Sequence, residues 1–330
     1  MFSKRISSVR QLSAAAGKRA LEQDPGNRTN SAEFTISRSV LAFINMPAPV
    51  RDSRARGCEN PPMKQNLHQA AHACLINRSL ADKLAGATAL YADWQAGGLE
   101  AKPIDLPTVI EAGRPDKPVL VAPAELPRRK IGTPEGHAAL IHAVAHIEFN
   151  AINLACDAAW RFQGLPDAYY GDWLKVAAEE AHHFSLLQTR LQELGYQYGD
   201  FSAHNGLWEL AQKTTDDPLR RMALVPRVME ARGLDVTPGM MERFANIGDQ
   251  ATVDVLRIIL RDEIGHVEAG SRWFHYLCEQ RGLDPEKHYF ELLNDYFQGG
   301  IRCPLHKEAR REAGFSEREL EQLEALCKKS

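Results

Sequence analysis

The stretch EEAHHF at 179–184 and its counterpart RDEIGH at 261–266 decide the fold. Each sets a carboxylate and an imidazole three residues apart, Glu180 with His183 and Glu263 with His266. On an α-helix that spacing is one face. Two further glutamates stand upstream: Glu148 lies 32 residues before Glu180, and Glu230 lies 33 before Glu263. Glu, Glu-x-x-His, Glu, Glu-x-x-His is the ligand order of a four-helix bundle around a carboxylate-bridged dinuclear metal site. The fold expected is therefore all-α, a four-helix bundle with an N-terminal helical arm and short C-terminal helices.

The second half of the pattern repeats the first at a nearly constant offset. Glu148 to Glu230 is 82 residues, and both Glu180 to Glu263 and His183 to His266 are 83. Two similar helical hairpins packed antiparallel would supply equivalent ligands to two metals. The metal ligands expected are Glu148, Glu180, His183, Glu230, Glu263 and His266. An acid precedes each motif glutamate, Glu179 and Asp262. Metal-bound histidines commonly donate their other ring N–H to a carboxylate, and Asp262 and Glu179 are assigned to that role.

A single Glu-x-x-His is more often a solvated surface pair than a ligand set, so the surroundings decide. Glu148 shares its helical stripe with Ile141, Val144, Ala145, Ile152, Ala155 and Ala159. A lone carboxylate buried among such groups is costly, and a metal removes the cost by supplying positive charge. Leu256, Ile259, Leu260, Val267 and Gly270 frame Glu263 in the same way. Glu230 rests on the repeat more than on its own flanks. His183 is preferred to His182 because the register of Glu179 with His182 breaks the 83-residue match. His142 and His146 fall on a face rotated from Glu148 and read as structural or edge residues.

Four carboxylates and two imidazoles are hard to borderline donors that suit iron or manganese. Two iron ions are expected, with manganese or a mixed manganese–iron pair as the alternative. None of the six cysteines forms a Cys-x-x-Cys pair, which excludes an iron–sulfur centre of that type within the chain. Electrons must then come from an external donor or reductase. Cys156 reads as a small buried hydrophobe, and cysteines that look unpaired fit a reducing compartment.

From about Met63 to the C-terminus the chain resembles the bacterial ferritin-like proteins of the domain-of-unknown-function 455 family. The segments that carry the likeness are HIEFNAINLACDAAWRF, EEAHHFSLL, MALVPRVMEARGLDVTPGM and ILRDEIGHVEAGSRWF. The resemblance implies a ferritin-like diiron fold and, residue by residue, the six ligands already named. A more distant likeness to tRNA-modifying diiron hydroxylases suggests an oxygen-dependent hydroxylase, by analogy of fold and site.

The activity expected is dioxygen-dependent oxidation of an unidentified organic substrate, by a hydroxylase or oxidase. A ferroxidase or peroxide-scavenging protein and a non-catalytic metal-binding bundle remain open alternatives. A hydroxylase needs a cavity on the Glu230 side, lined by groups such as Phe149, Tyr169, Tyr170 or Trp173, whose other role is core packing.

The chain has 330 residues, 44% of them hydrophobic, and a formal net charge of −3. That composition supplies an ordinary core and no global pull towards nucleic acid. A tRNA partner would need a local basic patch such as LPRRK at 126–130 or Arg220 with Arg221. No apolar run reads as a membrane span. A cytoplasmic location is expected, or an organellar one if residues 1–22, which carry no acid before Glu22, are a transit peptide. Residues 1–62 read as an extension with little packed structure, and 63–133 as a helical pair followed by an extended wrapping arm. Residues 134–282 read as the bundle, with helices at about 134–163, 167–194, 218–233 and 249–281, and 283–330 as a C-terminal helical extension. Pro226 should bend or break the third bundle helix.

Overall fold

The computed structural model describes residues 64–297 and 301–327. The expected extension over 1–62, with its transit-like segment, lies outside the described residues. The described chain is an all-α helical bundle.

Helices α1 (Leu67–Ile76) and α2 (Leu80–Gln95) form a first hairpin, capped at their N-termini by the side chains of Asn66 and Ser79. Buried Lys83 closes the other end of α1. Its ammonium donates to the carbonyls of Cys74 (3.1 Å) and Leu75 (2.8 Å) and to Asn153 Oδ1 (2.5 Å). A cation there satisfies carbonyls that have no intrahelical partner and opposes the helix dipole. A two-residue parallel pairing of β1 (Gln65–Asn66) with β2 (Leu99–Glu100) ties off the hairpin. The proline-rich run from 101 to 133 is extended apart from one 3-10 turn at Pro123–Glu125. It runs against the bundle, where the carbonyls of Val109 and Ile110 accept from Arg161 and Trp208 Nε1.

Helix α3 (Pro134–Arg161) opens with proline at its first position behind Thr133, whose Oγ1 accepts from Gly136 N. Every residue from Glu148 to Trp160 is buried, because α3 lies between α1 and α4 (Asp167–Glu193). By length and composition alone α3 is apolar enough to cross a membrane, but it is mostly buried in the bundle, so among the described residues no span is indicated, as expected. Its apolar circumference is accounted for by burial within the bundle.

The third bundle element differs from expectation. After the short helix α5 (Gly206–Gln212), α6 (Pro218–Leu224) runs without a break through a π-helical turn at Val225–Glu230 into α7 (Ala231–Asn246). The segment GLDVTPGM is therefore helical and does not interrupt it, despite Pro238. Leu234, Thr237 and Phe244 keep one face of α7 buried, and that packing outweighs the local breakers. Pro226 does not end the helix; it sits in the π turn, which absorbs its missing N–H.

Helix α8 (Gln250–Gln280) completes the bundle. Its N-cap Asp249 accepts from Thr252 N at 3.0 Å, and His137 of α3 and Arg190 of α4 also reach Asp249. The chain closes with α9 (Pro285–Tyr296), α10 (Lys307–Glu312) and α11 (Glu317–Cys327).

Two further expectations are corrected. Cys303 and Cys327 form a disulfide, because α11 folds back and brings their Cα atoms to 5.9 Å, whereas Cys74, Cys156 and Cys278 are buried thiols. Arg221 is no surface patch: it is buried and donates to Asp157 Oδ2 at 2.6 Å, while Arg220 pairs with Asp216. Of the two roles open to Tyr169, Tyr170 and Trp173, they take core packing; Tyr169 sits edge-on to Tyr170, Trp173 and Trp273.

Candidate metal centre

Four helical elements deliver carboxylates to the middle of the bundle. Glu148 comes from α3, Glu180 from α4, Glu230 from the end of the π turn and Glu263 from α8. Glu148, Glu180 and Glu230 are buried, while the Glu263 side chain keeps 12% exposure. Donor atoms of Glu148, Glu180, His183 and Glu263 lie within 4.8 Å of one another, so this buried group can hold a metal ion.

The two imidazoles are arranged alike. His183 Nδ1 is 3.3 Å from both Glu148 Oε2 and Glu180 Oε2. His266 Nδ1 is 3.1 Å from Glu180 Oε1 and 3.6 Å from Glu263 Oε1. Glu180 thus offers one oxygen to each half. The rings stand 5.8 Å apart between centroids. Glu230 stands further out: it makes no ion pair with either imidazole among the described residues, and its Oε2 is buried without a partner.

The outer acids pair crosswise. His183 Nε2 lies 3.2 Å from Asp262 Oδ2 on α8, and His266 Nε2 lies 3.0 Å from Glu179 Oε2 on α4. Each acid serves the histidine of the other helix, so α4 and α8 are fastened by two equivalent bonds. The acids are anchored in turn by Arg261 and Lys175.

Electrostatics follow from this packing. Burial, then the charge of Glu180, pushes Glu148 up to about 8. Burial, then Glu263 and Glu180, does the same to Glu230, also to about 8. Burial opposes protonation of His183, but hydrogen bonds with Asp262, Glu148 and Glu180 outweigh it and raise the imidazole to about 12. His266 is likewise raised well above its ordinary value, with burial overcome by Glu263, Glu179 and Glu180. Burial notwithstanding, His183 and Arg261 hold Asp262 well below the usual carboxylate range.

The donor set fits a metal. Glu148 Oε2, Glu180 Oε1, Glu230 Oε2 and His266 Nδ1 are all buried without a well-aligned hydrogen bond, their mutual contacts being ion pairs only. So many poorly satisfied buried polar atoms in one place are rare in native proteins, and a cation would satisfy them together.

Sequence reasoning missed two supports. Gly270 of α8 meets the π turn so closely that a Cβ there would lie 2.3 Å from Pro226 Cβ and Cγ. Tyr198 packs edge-on to Phe184 at 4.9 Å and bonds His146 Nδ1 at 2.8 Å, walling the Glu148 side with Phe149. His142 accepts from Gly199 N at 2.9 Å. A glycine opposite a mid-helix proline was the available signal for the first; the loop that carries Tyr198 left none.

Residues 76–321 match the family model described as "Protein of unknown function (DUF455)". The chain belongs to this family. It is also 53% identical over 230 residues to a protein of Haemophilus influenzae described as uncharacterized, across 66% of this chain and 79% of that one. No solved structure matches.

Proposed function

We propose that the cluster holds two iron ions and serves a dioxygen-dependent oxidation of an organic substrate, as a hydroxylase or oxidase supplied by an external electron donor. The observation that carries this reading is the pair of equivalent half-sites. Each imidazole turns Nδ1 towards two carboxylates and Nε2 towards an outer acid, and Glu180 spans both halves. Hard oxygen donors with two imidazoles suit iron, with manganese or a mixed pair as the alternative. Iron bound there would supply the redox chemistry.

The chain's own residues do the rest. Glu148, His183 and Glu180 Oε2 would hold one ion, and Glu180 Oε1, His266, Glu263 and Glu230 the other. Asp262 and Glu179 fix the imidazole orientations and keep Nδ1 directed inwards. Phe149 and Phe184 exclude water on the α3 side. Glu230, whose Oε2 has no hydrogen-bond partner, would be the ligand carboxylate least restrained by the protein. The least covered edge of the cluster is at Glu263 and Asp262, whose side chains keep 12% and 15% exposure.

Elemental analysis of anaerobically purified protein, followed by stopped-flow absorbance as the ferrous form meets oxygen, tests the reading. Two irons per chain with a transient visible band are expected. Absence of bound transition metal even after anaerobic ferrous reconstitution refutes it, and steady accumulation of ferric mineral would mark a ferroxidase instead.

A further inference from the structure

Behind the π turn lies a cavity of about 220 Å³ whose lining brackets Glu230 in sequence without including it. Four arginines, Arg227, Arg232, Arg302 and Arg310, contribute to its wall, against the single acid Asp235. We infer that this cavity is a binding site for a small organic carboxylate, distinct from the metal cluster.

Arg310 is neutralised. Its Nε and Nη2 lie 2.9 and 2.7 Å from the two oxygens of Asp235, so the only acid in the lining is already engaged. Arg227 is completely buried. Its Nη2 donates to Glu319 at 2.7 Å and its Nε to Ser271 at 3.2 Å, yet Nη1 has no partner. The rings of Tyr289 and Phe315, at 4.3 and 4.5 Å, clamp the guanidinium plane. Arg227 and Arg310 are thus both held by acids, and the unpaired positive charge at the cavity is that of Arg232 and Arg302.

Arg232 and Arg302 are exposed at the same cavity, and neither forms an ion pair among the described residues. Two unpaired guanidiniums at one opening leave it with an excess of positive charge that an anion between them would offset. Met229, Phe297 and Ile301 supply an apolar wall, which calls for an apolar body behind the charged head. The volume falls below the roughly 300–1,000 Å³ of drug-sized pockets, so that body is compact, an arene or a short alkyl chain.

Isothermal titration calorimetry of the full chain with benzoate tests the inference, with inorganic phosphate and benzyl alcohol in parallel arms. Saturable benzoate binding that survives metal removal is expected, with benzyl alcohol inert. Arg232→Gln and Arg302→Gln, both at exposed positions, should each weaken benzoate by about tenfold or more, the loss of one charge-assisted hydrogen bond. Absence of saturable benzoate binding, equal binding of benzyl alcohol, or unchanged affinity in both variants would overturn the site. Benzoate binding that vanishes with the metal would place the ligand at the cluster and overturn it too. Tighter binding of phosphate than of benzoate would overturn the carboxylate assignment. Because the metal-free protein is one arm, failure here is separable from failure of the proposed oxidation.

Discussion

Loading the cluster with two divalent ions should release close to four protons at pH 7. With Glu148 and Glu230 both pushed up to about 8 by burial and neighbouring carboxylates, the metal-free protein holds them as neutral acids. His183, at about 12, and His266, well above its usual value, are imidazoliums at the same pH. Ligation needs carboxylates and neutral imidazoles, so two protons leave the acids and two leave the histidines. Four protons carry the charge of two divalent ions, and the exchange leaves the charge of a dry cavity unchanged, which its low polarity demands. Calorimetry in buffers of different ionisation enthalpy counts the protons. The count should fall towards two as pH passes 8, where both acids have already ionised. Stability carries the same sign. Between pH 4.5 and 8 the folded metal-free protein binds more protons at Glu148 and Glu230 than the unfolded chain does. It should therefore lose stability as pH rises, by up to about 1.4 kcal/mol per pH unit for each group. His183 adds a loss of the same sign from pH 6.5 upwards. The metal-bound form should show the opposite trend as proton competition disappears. A release near one proton at pH 7, or a count that grows between pH 7 and 9, would refute the assignment of the four groups.

Glu180→Ala should destabilise the metal-free protein by about 3–5 kcal/mol, since it strips two buried imidazoliums of a shared carboxylate; urea denaturation at pH 6 measures it. Glu230→Gln should do the reverse at pH 9, raising the Tm of the metal-free protein by removing a buried charge while weakening metal binding. Asp262→Asn should lower metal affinity by about 10–100-fold through loss of the His183 anchor, as read by competition with a chromophoric chelator. Gly270→Ala should cost about 1–3 kcal/mol, because the added Cβ would lie 2.3 Å from the Pro226 ring; Tm together with metal stoichiometry separates lost folding from a displaced Glu230.

How far the sequence could be read depended on the range of the forces involved. Glu180, His183, Glu263 and His266 were legible because helical spacing alone puts each pair on one face. The 83-residue repeat even implied the equivalence of Asp262 and Glu179, but not that each acid would reach across to the other helix's histidine. That crossing is set by how α4 packs on α8, a tertiary fact with no local signature. The third helix was misjudged for the same reason. Pro226, Gly233, Pro238 and Gly239 each argue locally against a helix, and no short window contains the buried face of Leu234 and Phe244 that outweighs them. The cavity behind the π turn was beyond reach altogether, since Arg227, Arg302 and Arg310 come from three segments joined only by folding. Pro226 shows where local chemistry and packing meet. A proline alone would kink a straight helix away from its neighbour, but Gly270 opposite lets the turn pack flush. The proline is accommodated in a π turn that ends at Glu230, the one glutamate of the candidate cluster whose position a regular helix would have set differently.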